Sequence, residues 1–110
     1  MNIFEVLAEP TRRQILDLLR EDSRMVGELV DLLGITQPNV SKHLRVLREA
    51  GLVDVRRDAQ WRKYELNSEP LAEVDAWLEP YRQSMEARFN RLDNLLKELQ
   101  QDEEQDDDKT

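Results

Sequence analysis

Residues 34–53 read Gly34-Ile35-Thr36-Gln37-Pro38-Asn39-Val40-Ser41-Lys42-His43-Leu44-Arg45-Val46-Leu47-Arg48-Glu49-Ala50-Gly51-Leu52-Val53, and this stretch decides the fold. Thr36 is a good N-cap, Pro38 is tolerated in a first turn and Gly51 supplies a stop, so the pattern predicts a helix over 37–50. At 100° per residue Val40, Leu44 and Leu47 share one buried face. Pro38, Lys42, Arg45 and Glu49 point the other way, with Ser41 beside them and Gln37 and Asn39 at the exposed N-terminal end. Gln and Asn can pair bidentately with adenine, Lys with guanine and Ser with either, and recognition helices read bases chiefly with their N-terminal residues. Gln37, Asn39, Ser41 and Lys42 are therefore the candidate base-reading residues. The exposed N–H groups near Thr36 favour an anion, and Arg45 and Arg48, further along, are better placed for phosphates. Periodicity alone does not separate this face from an ordinary solvated one; the flanking sequence does.

Upstream, Val26, Leu29, Val30 and Leu33 mark a short helix stopped by Gly34, and Leu33-Gly34-Ile35-Thr36 is the tight glycine turn of a helix-turn-helix. Thr11 to Arg20 carries Ile15, Leu16, Leu18 and Leu19 on helical spacing behind Pro10, after a short amphipathic opening of Ile3, Phe4 and Leu7. Downstream the period changes to two. Val53 and Val55 alternate with Asp54 and Arg56, Asp58-Ala59-Gln60 interrupts, and Tyr64 and Leu66 alternate with Lys63 and Glu65. That is a hairpin with one apolar face, which must lean on the helices because an isolated hairpin is marginal. The predicted fold is mainly α with a small β-hairpin, a winged helix-turn-helix. Arg56, Arg57, Arg62 and Lys63 cluster at the hairpin turn and suit backbone contact or minor-groove insertion, against the plainer alternative of an edge strand protected by charge. Trp61 either caps the apolar face or lies against a sugar, and packing is the preferred role.

The last segment opens at Ser68, a candidate N-cap, with Pro70 in the first turn. With Leu71 as position a, the a/d slots are Leu71, Val74, Leu78, Tyr81, Met85, Arg88, Leu92, Leu95 and Leu99, and Phe89 flanks the one charged member. Pro80 should kink or break this helix. The stripe exceeds what one helix can bury against its own domain, so a second copy of the chain is expected to cover it. The expected organisation is a DNA-binding domain over 1–67, dimerisation helices over 68–100 and a disordered acidic tail over 101–110.

The chain has 110 residues, a net charge of -8, no cysteine, one histidine and three glycines. These counts remove disulfides, thiolate metal sites, a zinc His pair and a glycine-rich phosphate loop, and no catalytic assignment stands. The acidity is local. Residues 1–66 hold 11 basic and 11 acidic side chains, whereas 67–110 hold 5 and 13. Remote exposed charges are screened within roughly 8 Å, so overall acidity is compatible with a basic nucleic-acid face. With no apolar run of bilayer length and no signal peptide, a cytoplasmic protein without membrane contact is expected.

Three strings resemble the ArsR/SmtB-type bacterial winged-helix repressors: Leu7-Ala8-Glu9-Pro10-Thr11-Arg12-Arg13-Gln14-Ile15-Leu16, Val26-Gly27-Glu28-Leu29, and Gln37 through Val53. The resemblance covers about residues 3–67. It implies a homodimeric regulator that binds an inverted-repeat operator in double-stranded DNA near its own promoter, usually as a repressor. It also implies that Gln37, Pro38, Asn39, Ser41 and Lys42 enter the major groove and that the hairpin is the wing. In such proteins the terminal helices form the dimer interface, which would join Ile3, Phe4 and Leu7 to the stripe of the last helix, Trp77 included. The sequence departs from the family pattern at several points. Met25 and Gly27 stand where many relatives carry a metal-sensing Cys-x-Cys, and the last helix has no His. Met25 also replaces a common Ser or Thr cap, and Ala59 replaces the usual wing-turn glycine. No metal or other cofactor is expected, since Glu73, Asp75 and Glu79 read more readily as a solvated face. His43 reads as a histidine packed beside the core. Trp77 and Tyr81 read as interface packing, with a pocket for an unidentified small-molecule effector as the minority reading. The rival function is a winged-helix protein–protein interaction module without specific DNA binding.

Overall fold

The computed structural model describes the backbone of residues 1–108 and the side chains of residues 1–103. In chain order the elements are α1 (Ile3–Ala8), α2 (Pro10–Glu21), α3 (Val26–Leu33), α4 (Gln37–Glu49), β1 (Val53–Asp58), β2 (Trp61–Leu66) and α5 (Leu71–Asp108). Met1–Asp75 forms one compact unit, and a second begins at Ala76 within α5.

Several helix ends in the first unit have a chemical cause. Asn2 caps α1 by accepting the Glu5 N–H at 2.9 Å, and the Glu9 carboxylate accepts the Thr11 N–H at 3.2 Å at the start of α2, where Pro10 lacks a donor that would go unpaired anyway. Arg12 donates to the Val6 and Glu5 carbonyls at 2.6 and 3.1 Å, and Arg13 donates to the Leu7 carbonyl at 2.6 Å. The two arginines thus satisfy carbonyls left open at the end of α1 and fasten it to α2. Met25 cannot cap α3 through its side chain; instead the Glu28 carboxylate accepts the Met25 N–H at 3.1 Å. Gly34 takes the left-handed conformation (φ 67°) that ends α3 and turns the chain into α4.

The core lies where α2, α3 and α4 meet the base of the hairpin. Ile15, Leu29, Val40, Leu47 and Leu52 are fully buried, with Val6, Leu44 and Val53 nearly so, and among the described residues no charged side chain joins them. Full burial of each such side chain is worth about 1.5–3 kcal/mol. β1 and β2 pair antiparallel from Val53↔Leu66 to Asp58↔Trp61, which leaves Ala59-Gln60 as a two-residue turn. Ala59 supplies the positive φ (53°) where a glycine is usual.

Several expectations are corrected. Ile3 is buried in the core of its own chain, with Leu7, Leu71 and Val74 packed against that core, because α1 and the first turns of α5 must cover the base of the wing unit. Trp61 is 58% exposed, because it follows the turn at the hairpin tip, beyond the reach of the helices. Ser68 does not cap α5. The segment before it folds as a turn, with Leu71 N–H on the Ser68 carbonyl at 2.9 Å and Ala72 N–H on the Glu69 carbonyl at 3.1 Å, so the helix starts after Pro70. α5 is not broken at Pro80. Residues 75–80 are exposed, so water can bond the Ala76 carbonyl that proline leaves unpaired. Of the tail expected as disordered over 101–110, residues 101–108 continue α5, a run of Gln, Glu and Asp with neither glycine nor proline to stop it. Residues 109–110 lie outside the described residues.

Candidate nucleic-acid interface

α4 presents its two faces as the spacing requires. Val40, Leu44 and Leu47 are buried, while Gln37, Pro38, Asn39, Ser41, Lys42 and Arg45 are exposed together along the first half of the helix. Thr36 occupies the N-cap position, but its side chain makes no capping hydrogen bond, so the first N–H groups of α4 stay open to an outside acceptor. Arg45 pairs with Glu49 at 3.4 Å, both highly exposed, which makes the pair weak and easily exchanged for a phosphate.

Between α4 and the wing runs an open groove of about 540 Å³, lined by Ser41, Leu44, Arg45, Arg48, Glu49 and Tyr64. Strand alternation divides the wing's four cations. Arg57 and Arg62 stand opposite each other on the face that carries Val53, Val55, Tyr64 and Leu66, whereas Arg56 and Lys63 stand on the reverse face with Asp54, Asp58, Trp61 and Glu65. They therefore do not form one cluster, a division that follows from the pairing register. Sequence reading also missed Arg24, whose backbone pairs with Tyr64 at the edge of β2. Nothing in the helix and strand periodicities marks that bridge.

His43 lies on the flank of α4, half-buried, with Nδ1 buried and unpartnered among the described residues. Burial holds its imidazole below the ordinary histidine value, Arg12 and Lys42 push the same way, and Glu9 opposes them.

On α5, Trp77, Leu78, Tyr81, Met85, Phe89, Leu92, Leu95 and Leu99 are all 37–68% exposed, as is Phe4 on α1 at 40%. The a/d register omitted Leu96, also exposed at 59%. At 100° per residue Leu96 falls between Leu92 and Phe89, so the apolar face is about 120° wide, broader than a two-residue seam. Among the described residues no three of His, Asp and Glu gather as a metal site. No helix there is long and apolar enough to cross a membrane.

A sequence model of the bacterial regulatory protein arsR family matches residues 9–55, which contain α2, α3, α4 and the start of β1. The chain is 34% identical over 77 residues to the transcriptional repressor SdpR of Bacillus subtilis, a match spanning 70% of this chain and 86% of that protein. It is similar to the crystal structure of a possible transcriptional regulator for arsenical resistance, with TM-score 0.65 and 38% identity over 74% of this chain and 84% of that one. It is also similar to the solution structure of a homodimeric winged helix-turn-helix DNA-binding domain from Mycobacterium bovis, with TM-score 0.57 and 30% identity over 72% and 73% of the two chains. The helix-turn-helix, its wing and these matches agree: the chain belongs to the arsR family of bacterial regulatory proteins.

Proposed function

We propose that the protein is a cytoplasmic, homodimeric, sequence-specific repressor that binds an inverted-repeat operator in double-stranded DNA. Each protomer places the first half of α4 in a major groove and its wing on the flanking backbone. The observation that carries this reading is the make-up of α4. A helix that docks on protein presents apolar anchors, whereas this one presents Gln37, Asn39, Ser41 and Lys42 and keeps its apolar residues in the core. Two-fold pairing is supported by the homodimeric relative and by the exposed apolar side chains of α5 and, separately, of Phe4 on α1. Trp77 and Tyr81, with ring centroids 5.0 Å apart and tilted by 47°, are read as packing for that second copy. A dimer of this kind sets its two recognition helices about 34 Å apart, one duplex turn.

Footprinting on the DNA upstream of the gene tests the proposal. Two protected half-sites about one turn apart, with dyad symmetry, are expected. Binding no tighter than to random duplex at moderate salt would favour the protein-interaction reading instead.

A further inference from the structure

We propose that the wing grips the phosphodiester backbone with one face only, through Arg57 and Arg62, and that Arg56 and Lys63 on the reverse face take little part. This deepens the DNA-binding reading above and rests on it. Arg57 and Arg62 lie on the strand face whose Tyr64 lines the groove beside Arg45 and Arg48 of α4. Helix and wing together therefore offer cations in succession: Arg45 and Arg48 line the groove opposite Tyr64, and Arg62 and Arg57 follow Tyr64 on the same strand face toward the hairpin turn. Among the described residues the only acid lining the groove is Glu49, already paired with Arg45 at 3.4 Å.

The two faces differ in charge. Arg57 and Arg62 share theirs with Val53, Val55, Tyr64 and Leu66 and with no carboxylate. The reverse face sets Arg56 and Lys63 against Asp54, Asp58 and Glu65, and Arg56 is bonded to Glu65 at 3.4 Å. A strand of phosphates approaching that face meets more negative than positive charge. Two like charges directly opposite each other in a ladder repel. On the reverse face the neighbouring acids offset that repulsion, but between Arg57 and Arg62 nothing does, and neither has an ion-pair partner among the described residues. A phosphate oxygen between them supplies the missing counter-charge, with charge-assisted hydrogen bonds from both guanidinium groups.

The test measures fluorescence anisotropy of a labelled mixed-sequence duplex of about 30 base pairs across a salt series, which isolates backbone contacts from base reading. R57Q/R62Q should lower affinity about tenfold or more at low salt and flatten the log–log salt slope by about 1.8, the worth of one phosphate contact at each of the dimer's two wings. R56Q/K63Q should change affinity less than about threefold and leave the slope near that of the wild type. R57K/R62K should keep most of the slope, and R57Q/R62Q should melt no lower than the wild type, since it relieves a repulsion. Equal losses from the two Gln pairs, or a larger loss from R56Q/K63Q, would overturn the assignment while leaving DNA binding intact. A wild-type protein that binds no duplex at all would overturn the DNA-binding reading and this assignment with it.

Discussion

Arg24 and Tyr64 exchange both of their backbone hydrogen bonds, Arg24 N–H to the Tyr64 carbonyl at 3.0 Å and Tyr64 N–H to the Arg24 carbonyl at 2.8 Å. The connector between α2 and α3 thereby becomes a one-residue third strand on β2. The Arg24 side chain adds bonds to the Leu18 carbonyl at 3.1 Å and to Glu21 at 3.2 Å. One residue so ties the wing to the helix-turn-helix, and with it fixes the wall of the groove that Tyr64 forms.

Separating the backbone contribution from that of the side chain gives the first prediction. R24A keeps the bridge and loses the side-chain bonds, and should cost about 1 kcal/mol. R24P removes the N–H donor as well and should cost about 2 kcal/mol or more. Urea denaturation of both variants checks the order; equal midpoints would mean that the bridge contributes nothing.

The wing turn stores a small strain. Ala59 holds φ at 53°, where a Cβ is crowded by the following carbonyl and the cost is about 1 kcal/mol. Glycine adopts this conformation freely but loses more entropy on folding, so Ala59→Gly should raise stability by a net of roughly 0.5 kcal/mol. A lower denaturation midpoint for A59G would contradict this account of the turn.

His43 gives the pH dependence its sign. Its folded-state pKa lies below the ordinary 6.5 because burial disfavours the imidazolium. As pH falls through that value the unfolded chain takes up a proton that the folded chain refuses, so stability is full above it and is lost as pH drops toward the folded value. Glu9, also lowered, contributes stability that fades only below its ordinary 4.5, so the two windows separate. His43 is the chain's one histidine. Melting curves between about pH 7.5 and pH 5.5 should show the midpoint falling in the wild type and holding nearly level in His43→Gln.

The sequence made the wing unit largely legible because its signals are local. Gly34, Thr36 and Gly51 bracket α4, the spacing of Val40, Leu44 and Leu47 orients it, and the switch to period two marks the hairpin. What stayed hidden depends on contacts between segments. The Arg24–Tyr64 bridge, the arginine bonds that close α1 and the sorting of wing cations by face need the pairing register or the tertiary fold. The division of apolar residues between core and free surface was hidden for the same reason. Ile3 and Val74 carry the same periodic signal as Leu78 and Leu92, and only packing shows that the first two serve the chain's own core.

That free surface is where the central claim stands or falls. Sedimentation equilibrium at micromolar concentration should give a single species of about twice the chain's 13.0 kDa. Leu92→Glu with Leu96→Glu, both on the exposed face of α5, should shift it to the monomer while leaving the wing unit folded. A wild-type protein that sediments at 13.0 kDa, even with an inverted-repeat duplex present, would contradict the claim that two copies act together.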